Sequence, residues 1–180
     1  MLRLTLAAEH TLVLSSCCAA CPSGPAGCCA SPPGLEWSDL GRIVALGGAA
    51  FLLAELEAGR LRPGPRGLLL ARQDEAPPLP RRCVYLGPSG CVLDPSRRAA
   101  TCNYYLCDDA LPGEDARLGD AALRARDALC DTLARWDQAL KERIDARFPE
   151  GVRWDLPFLQ WLGEEQQRLS REDPAELAGP

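Results

Sequence analysis

"EDARLGDAALRARDALCDTLARWDQALKERIDARF", residues 114–148, decides the fold class of this chain. Apolar side chains recur through it every three or four positions, from Leu118 to Phe148, which is the period of one face of an α-helix. A second apolar-periodic segment follows, in which Asp155 can cap a helix and Pro157 falls in its first turn. The sequence therefore predicts two C-terminal helices, and the first of them is long.

The central part of the chain predicts one more helix and a strand. Residues 38–59 have apolar positions at helical spacing, with Ser38 or Asp39 as the cap and a glycine pair that weakens the middle. Residues 60–82 are rich in Pro, Gly and Arg around one short apolar run, GLLLA. This composition predicts an isolated strand inside a loop.

The segment CVYLGPSGCVL, residues 83–93, predicts a β-hairpin. Residues that favour strands lie on both sides of GPSG (87–90), a typical turn sequence. We expect this hairpin to bring Cys83 and Cys91 near each other.

Charge and hydropathy limit the partners of the chain. A net charge of -5 with no long basic run disfavours nucleic acid and anionic lipid as partners. No stretch reaches the ~20 apolar residues that span a bilayer, and Glu9 and His10 interrupt the apolar N-terminus that a signal peptide would need. We expect a cytoplasmic protein without a membrane or nucleic-acid partner.

Ten cysteines are the most informative residues of the chain. Cytoplasmic thiols stay reduced, so this number indicates metal or redox chemistry more than a disulfide framework. They form an early group, a late group and one outlier: Cys17, Cys18, Cys21, Cys28, Cys29; Cys83, Cys91, Cys102, Cys107; and Cys130.

The surroundings of the two groups favour metal binding over the alternatives. The cysteines lie among Pro, Gly and Ser rather than in an apolar pattern, although Cys130, on the apolar margin of the long helix, is typical of a packed side chain. Pro22 directly after the C-x-x-C pair opposes the helix that a thioredoxin-type motif requires. His10 is the only histidine, so a site would be all-sulfur or nearly so, unlike the usual hydrolytic zinc enzyme.

Three stretches carry a resemblance to a known family. They are CAACPSGPAGCC (18–29), LEWSDLGRIVALGG (35–48) and CVYLGPSGCVLDPSRRAATCNYYLC (83–107). In this order they resemble the YkgJ-like or CxxCxxxCC proteins, which are described as a zinc- or iron-chelating domain. The chain departs from the family pattern in having six residues before the double cysteine, and in Ala99 and Asn103 where the family has proline and arginine.

The resemblance implies a metal-binding protein whose cofactor is zinc or iron, including an iron–sulfur cluster. Arginines flanking the late group could offset the negative charge of the thiolates through N–H···S contacts; they are Arg81, Arg82, Arg97 and Arg98. The implied metal ligands are Cys18, Cys21, Cys28, Cys29, Cys83, Cys91, Cys102 and Cys107.

We therefore predict a mainly α fold with a small β-hairpin, in which a cysteine-rich metal-binding domain (1–112) precedes a helical extension (113–180) packed on it as one folding unit. No catalytic motif is present in the sequence, so we assign no catalytic residue and do not predict an enzyme. The alternative is an iron–sulfur redox enzyme or an accessory protein of one. The C-terminal helices, with Trp154 and Trp161, are a candidate surface for a protein partner.

Overall fold

The fold is described from a computed structural model of the chain. The described residues are 2–5, 12–15, 26–73, 81–88, 90–105 and 116–174. The boundary at 112/113 that we predicted between the cysteine-rich part and the helical extension lies outside them.

Five α-helices dominate the part of the chain that is described, so the prediction of a mainly α fold is confirmed. They are α1 Trp37–Ala45, α2 Ala49–Glu57, α3 Ala100–Tyr104, α4 Ala116–Arg147 and α5 Leu156–Glu172. The two predicted C-terminal helices are α4 and α5. As predicted, the carboxylate of Asp155 caps α5, where it accepts a hydrogen bond from the N–H of Phe158 at 3.0 Å.

The single helix that we predicted over residues 38–59 is two helices in the structure. The chain turns between α1 and α2, where Gly47 adopts the left-handed conformation (φ +76°) that glycine accepts most readily. The predicted cap was also wrong, because Glu36 is the N-cap residue of α1. Asp39 lies in the first turn and accepts a hydrogen bond from the N–H of Glu36 at 3.3 Å.

Small antiparallel sheets add more β-structure than the one hairpin that we predicted. The strands in the described part of the chain are β1 Leu2–Thr5, β2 Leu12–Ser15, β3 Gly34–Leu35, β4 Leu61–Gly64, β5 Gly67–Leu70, β6 Arg72–Gln73, β7 Arg82–Cys83, β8 Leu86–Gly87 and β9 Gly90–Cys91. The predicted strand GLLLA is confirmed as β5, but it is not isolated, since it forms the centre of a three-stranded sheet in the order β3-β5-β4. The remaining strands pair as β1–β2, β6–β7 and β8–β9.

The hydrophobic core lies between α1 and the two C-terminal helices. α1 makes its most extensive contacts with α5, and α4 packs against both. Fully buried leucine and isoleucine side chains from both halves of the chain meet there; they include Leu40, Ile43, Leu140, Leu159 and Leu162. The predicted cysteine-rich part and the predicted helical extension therefore share one core.

An aromatic cluster closes one side of this core. Trp154 stacks on Trp37 with ring centroids 5.8 Å apart, and Trp161 packs against Phe148 at 5.1 Å. The two tryptophans that we considered for a docking surface are thus half-buried against other aromatic rings.

Among the described residues, no helix has both the length and the apolar character that crossing a membrane requires.

Candidate metal centre

The predicted hairpin is present and consists of β8 and β9, in which Gly87 pairs with Gly90. Cys91 pairs there with Leu86, whereas Cys83 lies on the preceding strand β7 and pairs with Arg72 of β6. The two cysteines do not pair with each other, but their thiols lie within electrostatic reach. Desolvation raises the pKa of the Cys83 thiol, and the thiolate of Cys91 adds to this by repulsion.

The early cysteine group reaches the same strand. A turn of 3-10 helix, Gly27–Ala30, carries Cys28 and Cys29 and contacts β7, the strand of Cys83. The thiol of Cys29 donates a hydrogen bond to Cys28, which lowers the pKa of Cys28 to about 6. The same bond raises the pKa of Cys29, because the shared proton stays on that sulfur.

Cys102, on α3, completes the described part of the cluster. The residue is open to solvent, yet desolvation by the surrounding protein is the largest cause that raises the pKa of its thiol to about 12. Repulsion from the thiolates of Cys91, Cys83 and Cys28 adds to it. Thiols from three separate segments of the chain therefore lie within electrostatic reach of one another.

The described residues do not by themselves form a complete metal site. Three of the eight predicted ligands, Cys18, Cys21 and Cys107, lie outside the described residues. In the part of the chain that is described, no three His, Cys, Asp or Glu side chains are close enough to hold one metal ion. The eight-cysteine ligand set stays a prediction.

A buried ion pair on α1 fixes the segment that leads to Cys102, and sequence reasoning missed it. Asp39 accepts a hydrogen bond from the N–H of Ala100 at 2.7 Å, and Arg42 donates both to Asp39 and to the carbonyl of Arg98. Asp39 and Arg42 are 6% and 7% exposed. Burial raises the pKa of Asp39, and the guanidinium of Arg42 opposes that shift. Two charged residues three apart in an otherwise apolar helix were the available signal.

A second polar contact ties the late cysteine segment to α2. The hydroxyl of Tyr85, between β7 and β8, donates a hydrogen bond to the carboxylate of Glu55. The guanidinium of Arg60 donates to the same carboxylate, and its Nη2 lies 2.7 Å from Oε1. Tyr85 and Glu55 are both buried, so this contact holds the strands of Cys83 and Cys91 against the helix.

Two of the four arginines expected to face sulfur contact backbone carbonyls instead. Arg97 donates to the carbonyls of Ile43 and Leu46 at the end of α1, each at 3.1 Å, and thereby caps that helix. Arg98 donates to the carbonyls of Leu93, at 2.8 Å, and Cys91, at 3.4 Å. A carbonyl oxygen is a stronger acceptor than a neutral thiol, and these two arginines donate to carbonyls at the end of a helix and near the end of a strand. The sulfur contacts of Arg81 and Arg82 stay predictions.

Cys130, the outlier, is half-buried on α4 and shares a hydrogen bond with the hydroxyl of Tyr104. This environment agrees with the packed side chain that we predicted.

Comparison of the chain with models of protein families, with curated proteins and with solved structures gives no significant match. The likeness to the YkgJ-like proteins therefore remains an expectation from sequence, and the case for a metal centre depends on the cysteines themselves.

Proposed function

We propose that this chain binds a thiophilic metal ion, zinc or iron, through cysteines of its early and late groups. The observation that carries the proposal is the contact of the turn Gly27–Ala30 with β7, which brings Cys28 and Cys29 to the strand of Cys83. Free thiols drawn from distant parts of a chain into one region are the donor set that zinc and iron prefer. Such thiols suit a reducing compartment, and we propose the cytoplasm.

Electrostatics supports a cation among these thiols. The thiolate forms repel one another, which contributes to the raised pKa values of Cys29, Cys83 and Cys102. A bound cation would remove this repulsion and displace the protons of the thiols. Metal binding would therefore stabilise a close arrangement of thiolates that is unfavourable without the metal. The described cysteines are also free of disulfides, which leaves their sulfurs available.

One further feature of the fold suits this donor set. The strand β2 ends at Ser15 and contacts α3, the helix of Cys102, while Cys18 follows Ser15 by three residues along the chain.

The residues that would hold the metal are the eight cysteines predicted from the sequence. Bound zinc would act as a structural cross-link between the early and late segments, whereas an iron–sulfur cluster would supply electron transfer. The protein supplies the sulfur donors, the Asp39–Arg42 pair that orients the Cys102 segment and the Tyr85–Glu55 contact that holds β7 and β8.

Metal analysis of the full chain, purified without chelator and without oxygen, tests the proposal. We expect bound zinc or iron in the wild type, with visible absorption only for an iron–sulfur cluster. The colourless result favours a structural metal in a binding module, and the coloured result favours the redox alternative. A fully reduced protein that contains neither metal, and takes up neither when it is supplied, would refute the proposal.

Single serine substitutions identify the ligands. Cys83→Ser and Cys91→Ser are expected to lose metal, while Cys130→Ser, a half-buried cysteine outside the predicted set, retains it. Equal metal content in all three variants contradicts the assignment.

Thiol alkylation followed by mass spectrometry keeps the test valid if a variant fails to fold. In the wild type, the ligand cysteines should be protected until a chelator is added, and Cys130 should react at the same rate with and without chelator. The same measurement reports on Cys18, Cys21 and Cys107. Protection that does not respond to chelator would argue for burial alone.

A further inference from the structure

A cavity of about 460 Å³ lies against the outer face of the β3-β5-β4 sheet, away from the residues of the aromatic cluster. The side chain of Leu69, which is 50% exposed, contributes to its apolar wall. Leu69 pairs with Gly34 on one side and with Arg62 on the other. Because Gly34 has no side chain, one flank of Leu69 stays open to the cavity.

The charged residues that line this cavity, within the part of the chain that the structure describes, are all arginines. Arg62 on β4, Arg72 on β6 and Arg81 before β7 contribute to its walls, and none of the lining residues in the described part of the chain is acidic. This concentration of positive charge occurs in a chain whose net charge is -5. Arg62 and Arg72, which are both exposed, therefore give this concavity positive charge although the chain as a whole is acidic.

The neighbouring arginines on the same hairpin are engaged differently. Arg60 pairs with Glu55, and Arg66 pairs with Glu36 at 3.0 Å. Arg62 and Arg72 make no ion pair with any described residue, although both are exposed. Their guanidinium groups therefore remain able to receive an anionic group from outside the protein.

We propose that this cavity binds a small organic anion whose phosphate or carboxylate groups contact Arg62 and Arg72 and whose apolar part contacts Leu69. The planar guanidinium presents two parallel N–H donors that match the oxygens of either group, which is why arginine predominates at such sites. The cavity volume lies within the range of roughly 300–1,000 Å³ that is typical of small-molecule sites. This proposal does not rest on the proposed metal binding.

Titration of the full-length protein with inorganic pyrophosphate and with citrate tests the site, followed by calorimetry and by the methyl resonances of Leu69. We expect at least one of the two anions to bind and to shift those resonances; the tighter of the two identifies phosphate or carboxylate as the preferred group. The double variant Arg62→Gln/Arg72→Gln should bind at least about tenfold more weakly, because two charge-assisted contacts are lost.

The matched control is Arg124→Gln/Arg153→Gln, which removes the same charge from two exposed arginines that do not line the cavity. It should bind like the wild type. Circular dichroism checks that both double variants are folded, and metal content should be the same in both. The proposal is overturned if the wild type binds neither anion, if the cavity variant binds as tightly as the wild type, or if the control loses as much affinity as the cavity variant.

Discussion

The carboxylate of Asp39, in the first turn of α1, accepts a hydrogen bond from the backbone N–H of Ala100, the first residue of α3, at 2.7 Å. α3 thus receives its N-terminal cap from another helix, since Ala99 at its own cap position has no side-chain acceptor. Cys102 is two residues further on. The position of a predicted metal ligand consequently depends on a buried polar contact with Asp39, which lies 61 positions before Ala100 in the chain.

Replacing Asp39 tests this dependence. Asp39→Ala leaves Arg42 buried without its counter-ion and removes the cap of α3, so we expect the free energy of unfolding to fall by about 3 kcal/mol or more. Urea denaturation measures the change. Asp145→Ala, at an exposed ion pair on α4, is the control and should change the free energy of unfolding by less than about 0.5 kcal/mol.

A double variant separates the ion pair from the cap. Asp39→Ala/Arg42→Met removes both charges and should recover part of the stability that Asp39→Ala loses, because no charge is then buried alone. It should not recover the metal content, since the segment of Cys102 still lacks its anchor. A double variant no more stable than Asp39→Ala would contradict the importance of the ion pair.

The Glu55 carboxylate predicts a defined loss of stability in acid. Hydrogen bonds from Arg60, and after them the hydroxyl of Tyr85, hold its pKa below the ordinary value of 4.5. A carboxyl whose pKa is lower in the folded state stabilises the protein above its ordinary pKa, and that contribution disappears as the pH falls through the folded value. Unfolding of wild type and Glu55→Gln should therefore differ most at neutral pH and converge below about pH 4.5.

Tyr85→Phe isolates the hydroxyl of the same contact. We expect it to lower the free energy of unfolding by roughly 1 kcal/mol at neutral pH, with a smaller effect in acid, when Glu55 is protonated. A difference between Tyr85→Phe and wild type that stays constant from neutral pH until Glu55 is protonated in the folded protein would show that Glu55 is not the partner of the Tyr85 hydroxyl.

The turn between α1 and α2 predicts an order of effects for its two glycines. A methyl group on Gly48 would lie 2.6 Å from the carbonyl oxygen of Ile43 and 2.5 Å from Nη1 of Arg97, and a backbone atom cannot easily move away. On Gly47 it would meet no atom within 4 Å, and only the positive φ is unfavourable. Gly47→Ala should therefore lower the free energy of unfolding by about 1 kcal/mol, and Gly48→Ala should lower it by at least about 2 kcal/mol.

Urea denaturation of the two alanine variants checks that order. Gly48→Ala should also weaken the hydrogen bonds by which Arg97 caps α1, because the new methyl occupies the position of its guanidinium. Equal stabilities of the two variants would contradict the close packing of the turn.

The shared core predicts that the cysteine-rich part does not fold alone. A chain of residues 1–112 would expose Leu40 and Ile43, whose side chains are fully buried beside Leu159 and Leu162 in the whole protein. We expect this shortened chain to lack a cooperative thermal transition, with or without added zinc. A cooperative transition that appears when zinc is added would instead identify residues 1–112 as an independent metal-dependent domain.

Part of the candidate site followed from sequence alone. The turn residues at 87–90 set the β8–β9 hairpin, and the distribution of the cysteines separated an early group from a late one. That the two groups bind metal together stays a prediction. The Asp39–Arg42 pair and the Tyr85–Glu55 contact were not predicted, because each joins a residue to a partner on a distant element. Nothing in a local pattern identifies which distant backbone N–H or hydroxyl will face a buried carboxylate.

The sequence by itself determined the elements whose signals are local: the long helix α4, the Asp155 cap of α5, the strand at GLLLA and the turn at 87–90. The apolar period and the turn residues that specify them act within a few positions. Only the tertiary structure decided where the chain turns between α1 and α2. It also decided that Arg97 and Arg98 donate to backbone carbonyls. These outcomes depend on which buried polar groups need a partner once the core has formed, and that need arises between segments far apart in the chain.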